Sequence, residues 1–433
     1  MASAGGIGPV RAWYVVGLLC LLSVISYLDR YVIALLAEPI GQAMQADDTQ
    51  IGLLMGLGFG VLYSLIGVPV AHLLDTRSRV RIVAVSVVIW SVSTCASAFA
   101  PNFGWLALFR AGVAIGEAAL TPAAVSLIAD CFARDRRTLP TSVFMAIAAL
   151  MGSGAFIIGG AAFRVAQGME LAAGMEAWRL TMLFVGVPGL LVAPLWLCTV
   201  TEPRRGGSGD GEDQPLPMRD AIAYFMANLR LYGFLFLGLC ASSIANFSYM
   251  TWSATILRRS FGTPLGEAGL AFGSASLIGG AGAALLWPVI HAWFARRGRG
   301  DVIILLVGSG FLMGGLSLTA YRFVGDVPTV LLLATVANLG FSVSGTPSVL
   351  AIQAVAPARL RARLIALYVM AISLVGFTVG PPLGAALGTH LFSGPDALRN
   401  GVALVAMLMF PVAVLSALAS YPAYRRALEQ ARD

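Results

Sequence analysis

Residues 201–220 read TEPRRGGSGDGEDQPLPMRD, a stretch in which Gly, Pro and charged residues take most positions. Such a composition offers turn formers and no apolar face, so it reads as a solvated linker. On both sides the character inverts. Upstream, apolar runs fall near 12–37, 50–74, 80–99, 103–132, 139–165 and 177–200. Downstream they fall near 229–259, 265–295, 302–321, 328–355, 362–391 and 399–423. Each run reaches the roughly 18 residues that a helix needs to cross about 30 Å of hydrocarbon. The expected fold is an all-α membrane protein of twelve transmembrane helices. Its expected organisation is a six-helix bundle over 1–200, a linker over 201–222 and a second six-helix bundle over 223–433.

Composition excludes the alternatives. Of the 433 residues 58% are hydrophobic and 11% charged, with a mean hydropathy of +0.84. A soluble domain carries about 25% charged residues, so a water-soluble enzyme and a disordered chain are both ruled out. The formal charge is +7, and every one of the 28 basic residues is arginine. With no lysine there is no Schiff-base nucleophile and no P-loop. His72, His291 and His390 are scattered without metal-ligand spacing, and Cys20, Cys95, Cys131, Cys198 and Cys240 are far apart in apolar stretches, so neither metal nor cofactor is expected. No cleavage site follows the first run, which is expected to be a retained helix.

Arginine placement gives an orientation. Twenty of the 28 arginines fall on one side of the twelve-span layout, in clusters at Arg77/Arg79/Arg81, Arg134/Arg136/Arg137, Arg204/Arg205/Arg219, Arg296/Arg297/Arg299, Arg359/Arg361/Arg363 and Arg425/Arg426/Arg432, with Arg11 and Arg230. The opposite side has six, and Arg30 and Arg110 lie within spans. The dense side is read as cytoplasmic, with both termini and the linker on it. The pattern therefore concerns topology, and nucleic acid is not an expected partner. The halves share their punctuation: basic loops follow the second and fourth runs of each, and glycines crowd the fifth (Gly152, Gly154, Gly159 and Gly160; Gly376, Gly380 and Gly384). Such glycines serve close packing or hinge motion. Two repeated bundles around a midplane site is a transporter architecture.

A charge inside an apolar span costs several kcal/mol unless it is paired or hydrated. The first run carries Asp29 and Arg30, and the fourth carries Arg110 and Glu117. In the second half the deep polar residues are neutral, among them Ser242, Asn246 and Asn338. Opposed helix directions place Asp29, Arg30 and Arg110 at similar heights, with Glu117 two turns nearer the midplane. Asp29 is expected to pair with Arg110. Glu117, with no obvious adjacent arginine, is the expected proton carrier, and Asp29 is the alternative. The competing reading is an ion-pair lattice that only joins helices. Asp75, before Arg77 and Arg79, either latches a neighbouring helix N-terminus or is a solvated loop residue. Tyr27, Tyr31, Phe59 and Tyr63 either line a ligand cavity or pack against neighbours.

These residues resemble the major facilitator superfamily and, within it, the Spinster family in its bacterial form. Ser26-Tyr27-Leu28-Asp29-Arg30-Tyr31 resembles the family's N-Y-x-D-R-Y, with serine for asparagine. Arg110 with Gly116-Glu117-Ala118, then Pro122 and Ile128-Ala129-Asp130-Cys131-Phe132, resembles its R-x-x-x-G-x-G-E-A…I-A-D-x-F, with Ala114 for the first glycine. Trp178-Arg179, Pro188-Gly189 and Glu202-Pro203 also fit. The loop after the second helix departs from the superfamily's G-x-x-x-D-R-x-G-R: Ala71, Asp75, Thr76, Ser78 and Arg79 stand there, which leaves Asp75 and Arg79 as the gating candidates. The resemblance implies alternating access, proton coupling and lipid-like amphipathic substrates of sphingoid or lysophospholipid type. It implies a coupling pair Asp29 and Glu117, and a charge network of Arg30 and Arg110 with Tyr27 and Tyr31 beside it. Arg30 suits an anionic head group, with Ser242, Asn246 and Asn338 in the half that faces the acyl chain. A carrier of small drugs or metabolites uses the same fold and is the alternative; a scramblase or receptor is a remoter one. An inner-membrane monomer that is not an enzyme is expected.

Overall fold

A computed structural model describes residues 8–204 and 218–430. Most of the linker, Arg205 included, lies outside the described residues, as does Arg432. Among the described residues, eleven helices are long and apolar enough to cross a membrane. They are α1 (Pro9–Leu35), α2 (Asp48–Thr76), α3 (Arg79–Ser97), α4 (Phe103–Cys131), α5 (Thr138–Ala173), α6 (Ala177–Thr199), α7 (Leu229–Phe261), α8 (Leu265–Ala295), α9 (Val302–Phe323), α11 (Arg359–Leu391) and α12 (Ala397–Gln430). Between α9 and α11 lies α10 (Val327–Phe341), a shorter apolar helix. Among the described residues there is no strand. The chain is an all-helical, multi-pass membrane protein.

Several helices are broken at places that the apolar pattern alone does not mark. The run expected over 328–355 divides into α10, a 3-10 turn at Ser342–Ser344 and a helix at Thr346–Val355. Pro347 supplies the reason, since its ring crowds the carbonyl four residues back and it has no N–H to donate. That carbonyl, of Val343, accepts from the Ser348 hydroxyl at 2.8 Å instead. In α4 the regular helix runs Phe103–Glu117 and resumes as Leu120–Cys131. Pro122 crowds the Ala118 carbonyl in the same way. In α2 a π-helical turn at Leu54–Gly58 precedes the longer segment. By contrast α5 runs on to Ala173, eight residues past the expected end, because it meets no stop before Gly174, whose φ of 62° closes it in the left-handed region. A helix at Met218–Ala227 precedes α7.

The described chain divides into two compact units, Met1–Asp210 with Pro264–Gly273, and Gly211–Thr263 with Ser274–Asp433. In the first, α1 packs on α5 and α6, and α3 packs on α4 and α6. In the second, α7 packs on α11 and α12, and α9 packs on α10 and α12. Each pairing in one unit thus recurs six helices later in the other, the internal repeat that the sequence punctuation suggests. The first core gathers Leu19, Leu22, Val87, Trp90, Val113 and Trp196; the second gathers Tyr232, Leu239, Ile304, Phe311 and Tyr368.

Candidate functional site

Charges in the first unit converge because glycine lets α4 touch α3. A Cβ at Gly116 would sit 2.8 Å from the Ser86 carbonyl oxygen and 2.8 Å from the Trp90 backbone nitrogen, so no larger residue fits without moving backbone. That approach sets Arg110 and Glu117, seven apart on one face of α4, against α1. There Asp29 and Arg30 are adjacent and point about 100° apart. Arg110 Nη1 donates to Asp29 Oδ1 at 2.8 Å, as the helix heights predict. Arg30 donates through Nε (3.1 Å) and Nη2 (2.7 Å) to Glu117 Oε2.

The second pair corrects the reading of Glu117 as a carboxylate without a neighbouring arginine. Helix heights compare backbones, and they miss how far an arginine side chain runs along its helix. Two crossed ion pairs result, each with its acid on one helix and its base on the other. Asp29 and Glu117 are each only 1% exposed and Arg110 4%.

The two carboxylates differ in their remaining partners. Asp29 also accepts from the Thr94 hydroxyl of α3. Thr94 Oγ1 lies 3.0 Å from the Trp90 carbonyl as well, so its one hydrogen has two acceptors to choose between. Glu117 Oε1 is buried and has no hydrogen bond among the described residues. Around Arg30, the guanidinium carbon stands 5.2 Å from the Tyr27 ring centre, 4.9 Å from that of Phe59 and 5.1 Å from that of Tyr63. Tyr31 faces elsewhere: its ring lies 5.7 Å from Phe156 of α5 and 6.3 Å from Tyr27.

Asp75 and Arg79 are not brought together. Asp75 is exposed at the end of α2, with no ion pair among the described residues. Arg79 is 2% exposed and pairs with Asp130 of α4 and with Glu202, whose Oε1 accepts from Arg79 Nε at 2.8 Å. Glu202 Oε2 also accepts from the Val80 N–H (2.9 Å) and the Ser78 hydroxyl (2.7 Å). Partial burial pushes the Glu202 carboxyl up, but the Val80 N–H, the Ser78 hydroxyl and the Arg79 guanidinium outweigh it and hold it below the ordinary carboxylate value. Sequence reasoning noted Asp130 and Glu202 only as motif letters. Thr94 carried no signal at all.

In the second unit Asn338 is the organised member of the three polar candidates. Its Nδ2 lies 3.0 Å from Tyr249 Oη, Ser276 Oγ and the Ala334 carbonyl, three acceptors for its two hydrogens. Tyr249 and Ser276, neither singled out from sequence, are fully buried. Ser242 is buried with a hydroxyl that has no partner among the described residues, and Asn246 is half-buried on the same helix.

A family model described as the Major Facilitator Superfamily matches residues 19–378. An MFS-type efflux pump of Mycolicibacterium smegmatis is 31% identical over 98% of this chain and 96% of its own length. Protein spinster homolog 1 of Homo sapiens is 30% identical over 59% of this chain and 47% of its own. A sphingosine-1-phosphate transporter of Xenopus tropicalis is 32% identical over 44% and 36%. The chain therefore spans less than half of these two animal relatives and nearly all of the bacterial pump. Among solved structures, a bacterial homologue of the human lysosomal transporter Spinster, in an inward-facing and unoccupied conformation, superposes with a TM-score of 0.86 at 24% identity, over 98% of this chain and 99% of that one.

Proposed function

Because this chain belongs to the Major Facilitator Superfamily, whose members are transporters and not enzymes, we propose that it is a proton-coupled secondary active transporter of lipid-like amphipathic substrates. It works by alternating access in a bacterial inner membrane, with both termini on the cytoplasmic side where arginines are dense. The observation that carries this reading is the pair of crossed ion pairs between α1 and α4. Three of the four charges there are buried and Arg30 is mostly so, at a cost of several kcal/mol apiece before pairing, and one carboxylate oxygen among them is left bare.

Glu117 Oε1 is the position where a proton enters. Its lone pairs are unused, whereas Oε2 holds two N–H groups of Arg30. Protonation removes the charge that fixes Arg30, so the guanidinium is released while Asp29 still holds Arg110. Asp29 is the second protonation point, and Thr94 supports it. With Asp29 ionised the Thr94 hydroxyl donates to it; with Asp29 protonated the acid donates to Thr94, which turns its hydrogen to the Trp90 carbonyl. Asp29 thus has a satisfied arrangement in both protonation states, and Glu117 keeps an unused oxygen that a proton can take. A lattice built only to join helices needs neither.

Lipid-like substrates are supported by the likeness to the sphingosine-1-phosphate transporter. A carrier of small drugs is the second reading, favoured by the efflux pump that aligns over nearly the whole chain. The test is proton flux into vesicles loaded with a pH-sensitive dye, for wild type, Asp29→Asn and Glu117→Gln, with sphingoid bases, lysolipids and small drugs added in turn. A lipid should change the flux in wild type, and Glu117→Gln should abolish that change. Flux that responds to no lipid, or that survives both substitutions, overturns the proposal.

A further inference from the structure

The surroundings of Arg30 are those of a bound ligand. Tyr27 comes from the same helix one turn earlier, and Phe59 and Tyr63 come from α2, where their four-residue spacing stacks the rings 5.6 Å apart on one face. The guanidinium carbon lies within 5.2 Å of all three ring centres, and Glu117 closes the box with a carboxylate whose side chain is fully buried. Aromatic faces around a cation, completed by one acid, are how proteins recognise quaternary ammonium and other weakly hydrated organic cations. Arg30 does not use the acid fully. A fork-to-fork arginine pair engages both carboxylate oxygens, whereas here two N–H groups share Oε2 and Oε1 is unpartnered.

We propose that this box is a cation subsite in which Arg30 is an internal occupant, and that a hydrophobic organic cation (a quaternary ammonium, a phosphonium or a protonated amine on an apolar body) takes its place against Glu117, Tyr27, Phe59 and Tyr63. The inference rests on the transport reading above and narrows its substrate to amphiphiles with a cationic head, in place of the anionic head that Arg30 considered alone suggests. A guanidinium is delocalised and weakly hydrated, which makes it a good stand-in for such a head. It is tethered to α1 by a flexible stem, so its departure does not require the helix to unfold.

The experiment is calorimetric binding of tetraphenylphosphonium and, separately, of dodecyl phosphate to the purified full-length protein. Wild type is compared with Arg30→Ala, Glu117→Gln and Tyr63→Leu. Removing the internal competitor in Arg30→Ala should tighten tetraphenylphosphonium binding at least fivefold and should leave that of dodecyl phosphate unchanged. Glu117→Gln and Tyr63→Leu should each weaken the phosphonium at least fivefold. Should Arg30→Ala fail to elute as a folded species, Tyr63→Leu and Tyr27→Leu decide, since both leave the ion pair intact. Phosphonium affinity unchanged or lowered in folded Arg30→Ala, or unchanged in both tyrosine variants, overturns the subsite, as does dodecyl phosphate binding that Arg30→Ala alone destroys. Vesicle flux separates this from the broader reading. Lipid-driven proton flux without phosphonium binding refutes the box and leaves transport standing, while binding without any flux refutes transport and leaves the box.

Discussion

The two units bury polar groups in opposite ways. In the first, four formal charges form crossed pairs between α1 and α4, steadied by Thr94 of α3. In the second, an amide and hydroxyls from α7, α8 and α10 meet at Asn338 with no charge among them. Both sites lie beside a glycine that admits a neighbouring helix: Gly116 beside Trp90, and Gly279 where a Cβ would stand 2.9 Å from that of Asn338. The packing device is shared and the chemistry is not. A neutral network stays satisfied in one protonation state, so it fixes geometry. An ionic one gains or loses a charge with each proton, which is the property the proton-coupled proposal draws on.

The sharpest way to break this contrast is to remove one member of a pair. Arg110→Met leaves Asp29 buried without its cation and should cost about 3–5 kcal/mol in a denaturant titration of the detergent-solubilised protein. The double variant Asp29→Asn/Arg110→Met should recover much of that loss. Equal stability of Arg110→Met and wild type would show that the charge is solvated after all. Next, Gly116→Ala forces α4 away from α3 and should cost about 1–3 kcal/mol; Gly152→Ala, with nothing within 4 Å of the new Cβ, should be neutral or gain up to about 1 kcal/mol. If both behave alike, close approach does not organise the site.

Within the neutral network, Tyr249→Phe removes a donor to the Ala334 carbonyl and an acceptor for Asn338. It should cost about 1 kcal/mol and leave the pH profile of transport where it was. A shifted profile would place the second unit in the proton pathway and erase the contrast. The smallest effect belongs to Glu202, which is partly exposed. Its carboxyl is held below the ordinary value of about 4.3, so its contribution is complete above that pH and is lost as pH falls through the lower folded value. Glu202→Gln should therefore cost no more than about 1 kcal/mol at pH 7 and nothing in strong acid, as read by melting temperature across pH 2–7.

What was legible in the sequence follows from what each signal measures. Apolar runs report burial in hydrocarbon, so the helices were readable and their interruptions were not, although Pro122 and Pro347 stood in plain view. Asp29 with Arg110 could be paired because opposed helices convert residue number into height. Arg30 with Glu117 could not, because the answer depends on the length of a side chain. The Arg79 cluster draws on partners 51 and 123 residues away, and no periodicity spans that distance. Asp75 kept its motif position at the exposed end of α2. In the second unit, Asn338 could be picked out as a polar residue in an apolar run, but Tyr249 and Ser276 look like ordinary packing until three helices are assembled around them.

The lapse at Ala118–Ala119 makes α4 a lever with a fulcrum. On one arm sit Arg110 and Glu117; on the other, about 15 Å along, sits Asp130, gripped by Arg79. A change of about 5° at the fulcrum swings Asp130 by roughly 1.3 Å over that arm, which is enough to lengthen a hydrogen bond past its useful range. A tilt at the fulcrum driven from the acid–base pairs would therefore carry to the arginine clasp, and one imposed at the clasp would carry back to the pairs.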